Sequence, residues 1–175
     1  VSIVWTFLYH KDIGLINEFL NSVSFGLIDK INWLGDPAWS MPAIVIMSAW
    51  QGAGYQMLIF LAGLQNISED LYEAASLDGA NSWQKFVNVT LPGLRNTTIF
   101  VIISTTIAAF GLFTQVDVMT SGGPADSTST VMYHAVRKGF REQDIGYGST
   151  ISVVYFLVIL AIAMGQKYYF DKREK

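Results

Sequence analysis

The sequence predicts an all-α polytopic membrane protein with three full spans, and the distribution of charge is the main reason. Of its 175 residues 51% are hydrophobic and only 14% are charged, whereas soluble domains carry roughly a quarter of charged residues. The charged residues leave three long gaps: 32 residues between Asp36 and Glu69, 21 between Arg95 and Asp117, and 22 between Asp144 and Lys167. A spanning helix rises about 1.5 Å per residue across roughly 30 Å of hydrocarbon, so it needs about 20 apolar residues. Each gap is long enough for one span.

The three predicted transmembrane helices cover residues 43–64, 96–117 and 149–168. None shows the one-sided 3.6-residue periodicity that is typical of a surface helix in a soluble bundle. The alternative, three central helices of a soluble protein, would need a polar shell that the remaining sequence is too short to supply. Aromatic residues that favour the headgroup layer lie mostly near the span ends: Trp5, Trp33, Trp39, Trp50, Tyr155, Tyr168 and Tyr169.

The connecting segments alternate between the two sides of the membrane. Residues 1–9 are apolar but too short to span, and we interpret them as the end of a truncated transmembrane helix. Segments 10–42 and 118–148 share one side and hold five basic residues. Segments 65–95 and 169–175, together with Lys167 at the end of the last span, hold six. The positive-inside rule therefore only faintly favours a cytoplasmic C-terminus.

Composition and motifs exclude several function classes. The low charge argues against a nucleic-acid-binding protein, and the absence of cysteine excludes disulfides and zinc–thiolate sites. Neither the G-x-x-x-x-G-K-[ST] phosphate loop nor the G-x-S-x-G nucleophile motif occurs. His10 and His134 are isolated in the sequence, so no metal site is expected. The sequence predicts no enzyme, no catalytic residue and no cofactor.

The connector 65–95 carries the most acidic residues and predicts a helix–turn–helix. Ser68, followed by two acidic residues, favours the start of a helix, and Gly79 favours a left-handed end to it. A second short helix is expected to begin at Asn81 or Ser82 and to stop before Leu91-Pro92, because the residue before a proline disfavours the α conformation.

The first helix of this connector has a thin alanine face. Ala74 and Ala75 form that face, and Glu73 and Asp78 flank it with negative charge. A small helix of this kind, held between two spans, suits insertion into a groove of a partner protein. The alternative is an amphipathic connector that lies on the membrane surface.

Several segments resemble ABC-importer permeases of the sugar family, of the maltose and glycerol-3-phosphate types. The EAA motif of that family is matched by Glu73-Ala74-Ala75, Asp78-Gly79-Ala80 and Thr90-Leu91-Pro92. Gly35-Asp36-Pro37, the segment 120–130 with its Gly-Gly-Pro, and the segment 140–148 are similar to further family segments. The matches follow in the family's order over nearly the whole chain.

The resemblance implies the helical bundle of ABC-importer permeases, of which this chain would hold the C-terminal half: three full spans and the end of a fourth. It implies a subunit of a bacterial or archaeal plasma (inner) membrane that forms half of the translocation pathway for a sugar or related polyol. It also places the connector 65–95 and the tail 169–175 in the cytoplasm, and segments 10–42 and 118–148 outside.

The resemblance also implies partners. These are an ATP-binding ATPase homodimer that hydrolyses the ATP, a second permease subunit, an extracytoplasmic solute-binding protein and membrane lipid, with no nucleic acid. The alternative is a secondary carrier or channel without an ATPase. Such proteins usually place charged groups inside their spans, whereas the charged residues of these three spans, Asp117 and Lys167, lie only at span ends.

Two sets of site residues follow from the resemblance. The residues implied to couple the permease to the ATPase are Glu73, Ala74, Ala75, Asp78, Gly79, Leu91 and Pro92. The residues implied to line the substrate pathway are Gln51, Gly52, Tyr55, Thr105, Ala109, Leu112 and Phe113. Ala109 and Leu112 stand where maltose-type permeases carry asparagines, so the sequence departs from a maltose site there.

Overall fold

The structure is a computed structural model that describes residues 1–172, and within that range it contains helices and turns but no strand. The all-α prediction is therefore confirmed for the described residues. The last three residues of the predicted cytoplasmic tail, 173–175, lie outside them. The α-helices are α1 (Ser2–Leu8), α2 (Leu15–Val23), α3 (Pro37–Gln65), α4 (Glu69–Leu77), α5 (Ser82–Lys85), α6 (Leu91–Gly93), α7 (Arg95–Phe110), α8 (Thr114–Met119), α9 (Val131–Val136) and α10 (Ile145–Lys172).

The described chain divides into two compact units. Unit 1 comprises residues 1–51 and 109–160, and unit 2 comprises residues 52–108 and 161–172. The apolar core of unit 1 includes Ile44, Met47 and Val116, which have no exposed surface. Tyr9 also forms a hydrogen bond within this core, since its hydroxyl donates to Ala43 O at 2.9 Å.

Two helices, α3 and α10, are long and apolar enough to cross a membrane. A third span results if Ser82–Gly93 and Arg95–Phe110 count as one, although their axes are bent by 60°. Both long helices extend beyond the predicted spans 43–64 and 149–168, since α3 begins at Pro37 and α10 begins at Ile145. The membrane boundaries themselves stay predictions.

The segment 96–117, expected to form one helix, is interrupted after Phe110. The helix α7 ends there, and α8 begins only at Thr114. Helix ends leave backbone carbonyls without intrahelical partners, which is costly away from water. Here side chains supply the missing donors: Tyr155 Oη donates to Phe110 O at 2.9 Å, and Thr130 Oγ1 donates to Leu112 O at 2.8 Å. These distant hydroxyls stabilise a break within an apolar sequence.

In unit 2 the helices α3 and α7 approach closely at Gly63. A Cβ atom on Gly63 would lie 2.5 Å from Thr97 Oγ1. Small residues of this kind let helices pack in a membrane, where no hydrophobic effect drives helix association. This contact supports the ends of the two helices that flank the connector 65–95.

Candidate functional site: the connector helices

The helix α4 carries the predicted coupling motif, and its two ends follow from local sequence. Ser68 occupies the N-cap position with extended backbone, but its hydroxyl donates to Asp70 Oδ2 at 3.2 Å instead of accepting from the helix. At the other end Gly79 has a φ of +75°, a left-handed conformation that disfavours a side chain. The next amide, of Ala80, donates to Ala75 O at 2.9 Å. The predicted glycine end of the helix is confirmed.

Two side-chain contacts fix α4 against the second half of the connector. The hydroxyls of Tyr72 and Thr90 lie 2.9 Å apart and share a hydrogen bond. Lys85 Nζ donates to Ser76 Oγ at 2.6 Å. Thr90 is buried, so the first contact ties α4 to the interior of unit 2. Sequence reasoning missed this pair, because two hydroxyls 18 residues apart carry no periodic signal.

The second helical segment begins as predicted and ends differently. Asn81 forms a reciprocal capping box with Gln84, with backbone-to-side-chain distances of 2.8 and 2.9 Å. The helix then widens into a π-helical turn, Phe86–Thr90, and continues through α6 to Gly93. The expectation that it stops before Leu91-Pro92 is therefore wrong. In the π turn the Leu91 amide donates five residues back to Phe86 O, and this wider turn accommodates the proline ring.

Most of the predicted coupling residues lie on the surface of unit 2. The exposed ones are Glu73, Ala74, Asp78, Gly79, Leu91 and Pro92, whereas Ala75 is half-buried. No heavy atom lies within 4 Å of a Cβ built on Gly79 beyond its immediate chain neighbours. Leu77 and Trp83, which the sequence reasoning did not single out, are 90% and 70% exposed. Their only sequence signal is a large apolar residue in an otherwise acidic connector.

A groove of about 660 Å³ runs along one side of α4. Its lining residues come from the end of α3 and from the near face of α4: Leu64, Gln65, Ile67, Glu69, Tyr72, Glu73 and Ser76. The lining includes two carboxylates and no basic side chain. Of the predicted coupling residues only Glu73 contributes to it, because Ala74 and Asp78 lie on the far side of the helix. The connector thus offers an acidic groove on one side and a flat face on the other.

The predicted pathway residues of unit 2 are placed on α3 and α7. Tyr55 is 67% exposed, and Gly52 is half-buried. Thr105 accepts a hydrogen bond from Gln56 Nε2 at 2.9 Å. Gln56 was not among the predicted residues, although an amide within an apolar span was a usable signal.

The predicted pathway residues of unit 1 differ in exposure. Gln51 and Ala109 are exposed. Leu112 and Phe113 are partly buried against the apolar core, and the Phe113 ring stacks on Tyr133 with centroids 6.2 Å apart. For these last two side chains the structure shows a packing contact within unit 1.

A second polar cluster in unit 1 joins α8 to α9 and to the π-helical turn Arg137–Arg141 that follows α9. Arg141 forms an ion pair with Asp117, donates to Tyr133 Oη at 3.2 Å, and lies 5.7 Å from the Tyr133 ring centroid. The Tyr133 hydroxyl in turn donates to Ser121 O at 2.6 Å. This cluster fixes the turn that contains the Gly-Gly-Pro sequence.

Ion pairs also perturb a carboxylate at the end of the π-helical turn Arg137–Arg141. Lys138 Nζ donates to Glu142 Oε2 at 2.6 Å, and Arg137 Nε donates to Glu142 Oε1 at 3.1 Å. These hydrogen bonds, first that of Lys138 and then that of Arg137, lower the pKa of Glu142 below its usual range. The hydrogen bond to Glu142 correspondingly raises the pKa of Arg137.

The family of the chain follows from comparison with known proteins. Residues 1–175 match the family described as binding-protein-dependent transport system inner membrane component. The chain belongs to this family. The resemblance inferred from residues 73–92 and from the ordered segments around them is confirmed.

Several curated relatives of this transport component are named sugar permeases. It is 36% identical over 160 residues to the trehalose/maltose transport system permease protein MalF of Thermococcus litoralis, covering 91% of this chain and 53% of the relative. It is 34% identical over 160 residues to the sulfoquinovosyl glycerol transport system permease protein SmoG of Agrobacterium fabrum, covering 91% and 51%. The chain spans about half the length of these relatives.

Solved structures of a bacterial alginate importer share the fold of this transport component. One matches with a TM-score of 0.84 at 20% identity, covering 99% of this chain and 60% of the other. The second, a complex with an alginate pentasaccharide-bound periplasmic protein, matches with a TM-score of 0.82 at 20% identity, covering 96% and 59%. At this identity the likeness supports the fold, and it confirms the permease-type helical bundle.

No cluster of three or more metal-ligating side chains occurs in this transport component within residues 1–172.

Proposed function

We propose that this chain forms half of the translocation pathway of an ATP-driven importer for a sugar or related polyol. In this proposal it transmits the closure of a separate ATPase dimer to its spans through the connector 65–95. Membership in the binding-protein-dependent transport family and the sugar-permease names of the relatives support this assignment. The proposal includes a second permease subunit and an extracytoplasmic solute-binding protein as partners.

The observation that carries the proposal is the geometry of α4. The helix is anchored on one side by the hydrogen bond between Tyr72 and Thr90, while Ala74, Leu77 and Gly79 are exposed on its surface. An exposed leucine and a flat alanine face suit a partner's cleft, since burying apolar area is the main driving force of association. The internal anchor lets a force on α4 reach the spans without first unfolding the connector.

Docking to the ATPase would give the chain the membrane orientation that the family resemblance implies. The connector 65–95 faces the ATPase in the cytoplasm, and segments 10–42 and 118–148 face the solute-binding protein. On the substrate side we assign Gly52, Tyr55 and Thr105 to the pathway within unit 2. An exposed aromatic ring and a hydroxyl held by Gln56 are the groups that recognise a sugar ring and its hydroxyls.

Substitution of Gly79 tests the coupling directly. In Gly79→Asp the new Cβ meets no heavy atom within 4 Å beyond the immediate chain neighbours, and aspartate is among the residues that tolerate a left-handed backbone. The variant is therefore expected to insert and to assemble its spans normally. Because the side chain projects where the ATPase docks, uptake in reconstituted vesicles is expected to fall to background. ATP hydrolysis is expected no longer to respond to substrate.

The matched control is Gly146→Asp, at an exposed glycine in the first turn of α10. An acidic residue there suits the positive end of the helix dipole, so expression and membrane assembly are expected to stay normal, as they are for Gly79→Asp. Wild-type uptake by Gly79→Asp would contradict the docking proposal.

Deletion of residues 69–80 distinguishes the importer from a carrier that works without an ATPase. The importer proposal expects this deletion to abolish co-purification of the ATPase with the permease. A stable complex with the ATPase that survives the deletion would contradict docking through this connector. Uptake that persists without any ATPase would favour the alternative.

A further inference from the structure

A patch of exposed apolar side chains covers one side of α2 and the turn that follows it. Leu15, Phe19 and Val23 are 66%, 68% and 62% exposed, and Phe25 and Leu27 are 94% and 88% exposed. Positions four residues apart lie on the same face of a helix, so Leu15, Phe19 and Val23 form one continuous apolar face of α2. We call these five residues the α2 patch. The packing of unit 1 leaves them outside its core.

The opposite side of α2 is held firmly by a buried amide. Asn17 is 3% exposed, and its Nδ2 donates to Lys11 O at 2.9 Å and to Ile31 O at 2.8 Å. Its Oδ1 accepts from Trp33 Nε1 at 2.9 Å. Rotating α2 to bury the patch against unit 1 would break these three bonds and leave a buried amide without partners, which is costly. The patch therefore faces outward in the folded protein.

The same contacts place α2 at the level of the membrane surface. Trp33 lies four residues before the start of α3, and its ring contacts Tyr9 and Trp39 at centroid distances of 5.4 and 5.3 Å. The 29 residues of α3 span about 43 Å at 1.5 Å per residue, whereas the hydrocarbon layer is roughly 30 Å thick. The start of α3 therefore reaches the headgroup layer, where tryptophan and tyrosine rings are enriched.

We propose that the α2 patch lies in the boundary between the lipid headgroups and the acyl chains, so that α2 is an interfacial helix bound to phospholipid. Three sides of α2 fit this position: Asn17 binds unit 1, the patch meets lipid, and the exposed Glu18 and Asn21 meet water. An amphipathic helix that lies in the interface has this division between an apolar face and a polar face.

The turn after α2 supports lipid as the occupant. Phe25 has a φ of +53°, which is a strained conformation for an aromatic residue, and this conformation points a nearly fully exposed ring away from unit 1. The two connectors from α2 to α1 and to α3 are only six and 13 residues long, 9–14 and 24–36. Since α3 is membrane-spanning, these short connectors keep the patch next to the bilayer.

The absence of cysteine from the chain makes a direct measurement practical. Single cysteines are introduced by Phe19→Cys and Phe25→Cys in the patch, and by Glu18→Cys and Asn21→Cys as matched controls on the polar side of the same helix. Each is labelled with a nitroxide in the full-length protein, after removal of any cysteine outside residues 1–175, within its assembled transporter with cysteine-free partners. The transporter is reconstituted in vesicles of phosphatidylethanolamine and phosphatidylglycerol. All four sites are exposed, so the substitutions are expected to fold.

The readout is the collision rate of each nitroxide with oxygen, which concentrates in lipid, and with a water-soluble nickel chelate. The proposal expects the ratio of oxygen to nickel collisions to be several-fold higher at residues 19 and 25 than at residues 18 and 21. Equal ratios at all four sites would overturn the proposal, because the patch would then be no more exposed to lipid than the polar side of the same helix. Low collision rates with both reagents at 19 and 25 would also overturn it, because a protein surface would then cover the patch. Neither result would bear on coupling through the connector 65–95.

Discussion

Gln166 on α10 donates from Nε2 to Thr106 Oγ1 on α7 at 3.1 Å, while the Oε1 atom of the same amide is buried without a hydrogen-bond partner in the described part of the chain. The neighbouring Thr105 accepts from Gln56 Nε2 on α3 at 2.9 Å. Two consecutive threonines of α7 thus bind two different helices of unit 2. Hydrogen bonds of this kind join helices in a membrane, and they contribute about 0.6 kcal/mol each on average.

Removing one partner of the Gln166–Thr106 bond is expected to cost more stability than removing both. Thr106→Val leaves the Gln166 amide with no partner at either polar atom, a loss of about 1–2 kcal/mol. The double variant Thr106→Val/Gln166→Leu also removes the buried amide, so part of that stability returns. The thermal unfolding midpoint of the detergent-solubilised protein measures the difference. A double variant that melts no higher than Thr106→Val would refute this expectation.

Tyr72→Phe tests whether its hydroxyl anchors α4. The substitution removes the hydrogen bond to the buried Thr90. It is expected to destabilise the packed position of α4 against the second half of the connector by about 1 kcal/mol. Amide hydrogen exchange in residues 69–77 should then become about fivefold faster, by the relation of tenfold to 1.4 kcal/mol. Tyr147→Phe, at an exposed tyrosine near the start of α10, is the control and should leave this exchange unchanged. Unaltered exchange in Tyr72→Phe would show that other contacts hold the helix.

Gly148→Ala is expected to separate the start of α10 from the π-helical turn Arg137–Arg141. A Cβ on Gly148 would lie 2.7 Å from both Cα and N of Gly139 and 3.0 Å from Ala135 O. These are backbone atoms that cannot rotate away, so the overpacking is expected to cost about 1–3 kcal/mol. Gly146→Ala adds a Cβ whose nearest contact is 3.9 Å away, and it should be neutral or slightly stabilising. Equal unfolding midpoints for the two variants would contradict the close contact.

Glu142→Gln is expected to remove a pH-dependent contribution from the segment after α9. The pKa of Glu142 is lowered by Lys138 and Arg137 in the folded protein, so this carboxylate stabilises the fold above its unfolded pKa. That contribution is lost as the pH falls through the lower, folded pKa. The group is exposed, so the effect is small. The midpoints of wild type and Glu142→Gln should differ at neutral pH and converge in acid; a constant difference would argue against the ion pairs as its cause.

Local sequence correctly predicted two helix ends in the connector, each of which depends on the conformation or the side chain of a single residue. Gly79 adopts the left-handed conformation, and Asn81 caps the next helix, because both effects depend on neighbours within a few residues. Pro92 shows the limit of such reasoning. A proline normally ends a helix at the residue before it, but the π-helical turn before Leu91 lets the helix continue to Gly93.

The interruption after Phe110 depends on residues far away in the chain. Apolar sequence on both sides of Gly111 predicted a continuous helix, and the backbone carbonyls exposed by a break are costly in a membrane. The hydroxyls of Tyr155 and Thr130 satisfy two of these carbonyls. No sequence pattern indicates that a tyrosine 45 residues later donates to this position.

Sequence patterns predicted the membrane class, the long helices α3 and α10, the family and the position of the coupling motif. These properties reside in charge gaps, helix propensity and ordered local motifs, which do not depend on distant contacts. The tertiary structure alone decided where α7 breaks, how Tyr72 anchors α4 and which side of α2 is left outside unit 1. Each of these depends on a hydrogen bond between residues well separated in the chain, from 14 residues for Asn17 and Ile31 to 45 for Phe110 and Tyr155. Folding brings such partners together, and their spacing in the sequence gives no sign of it.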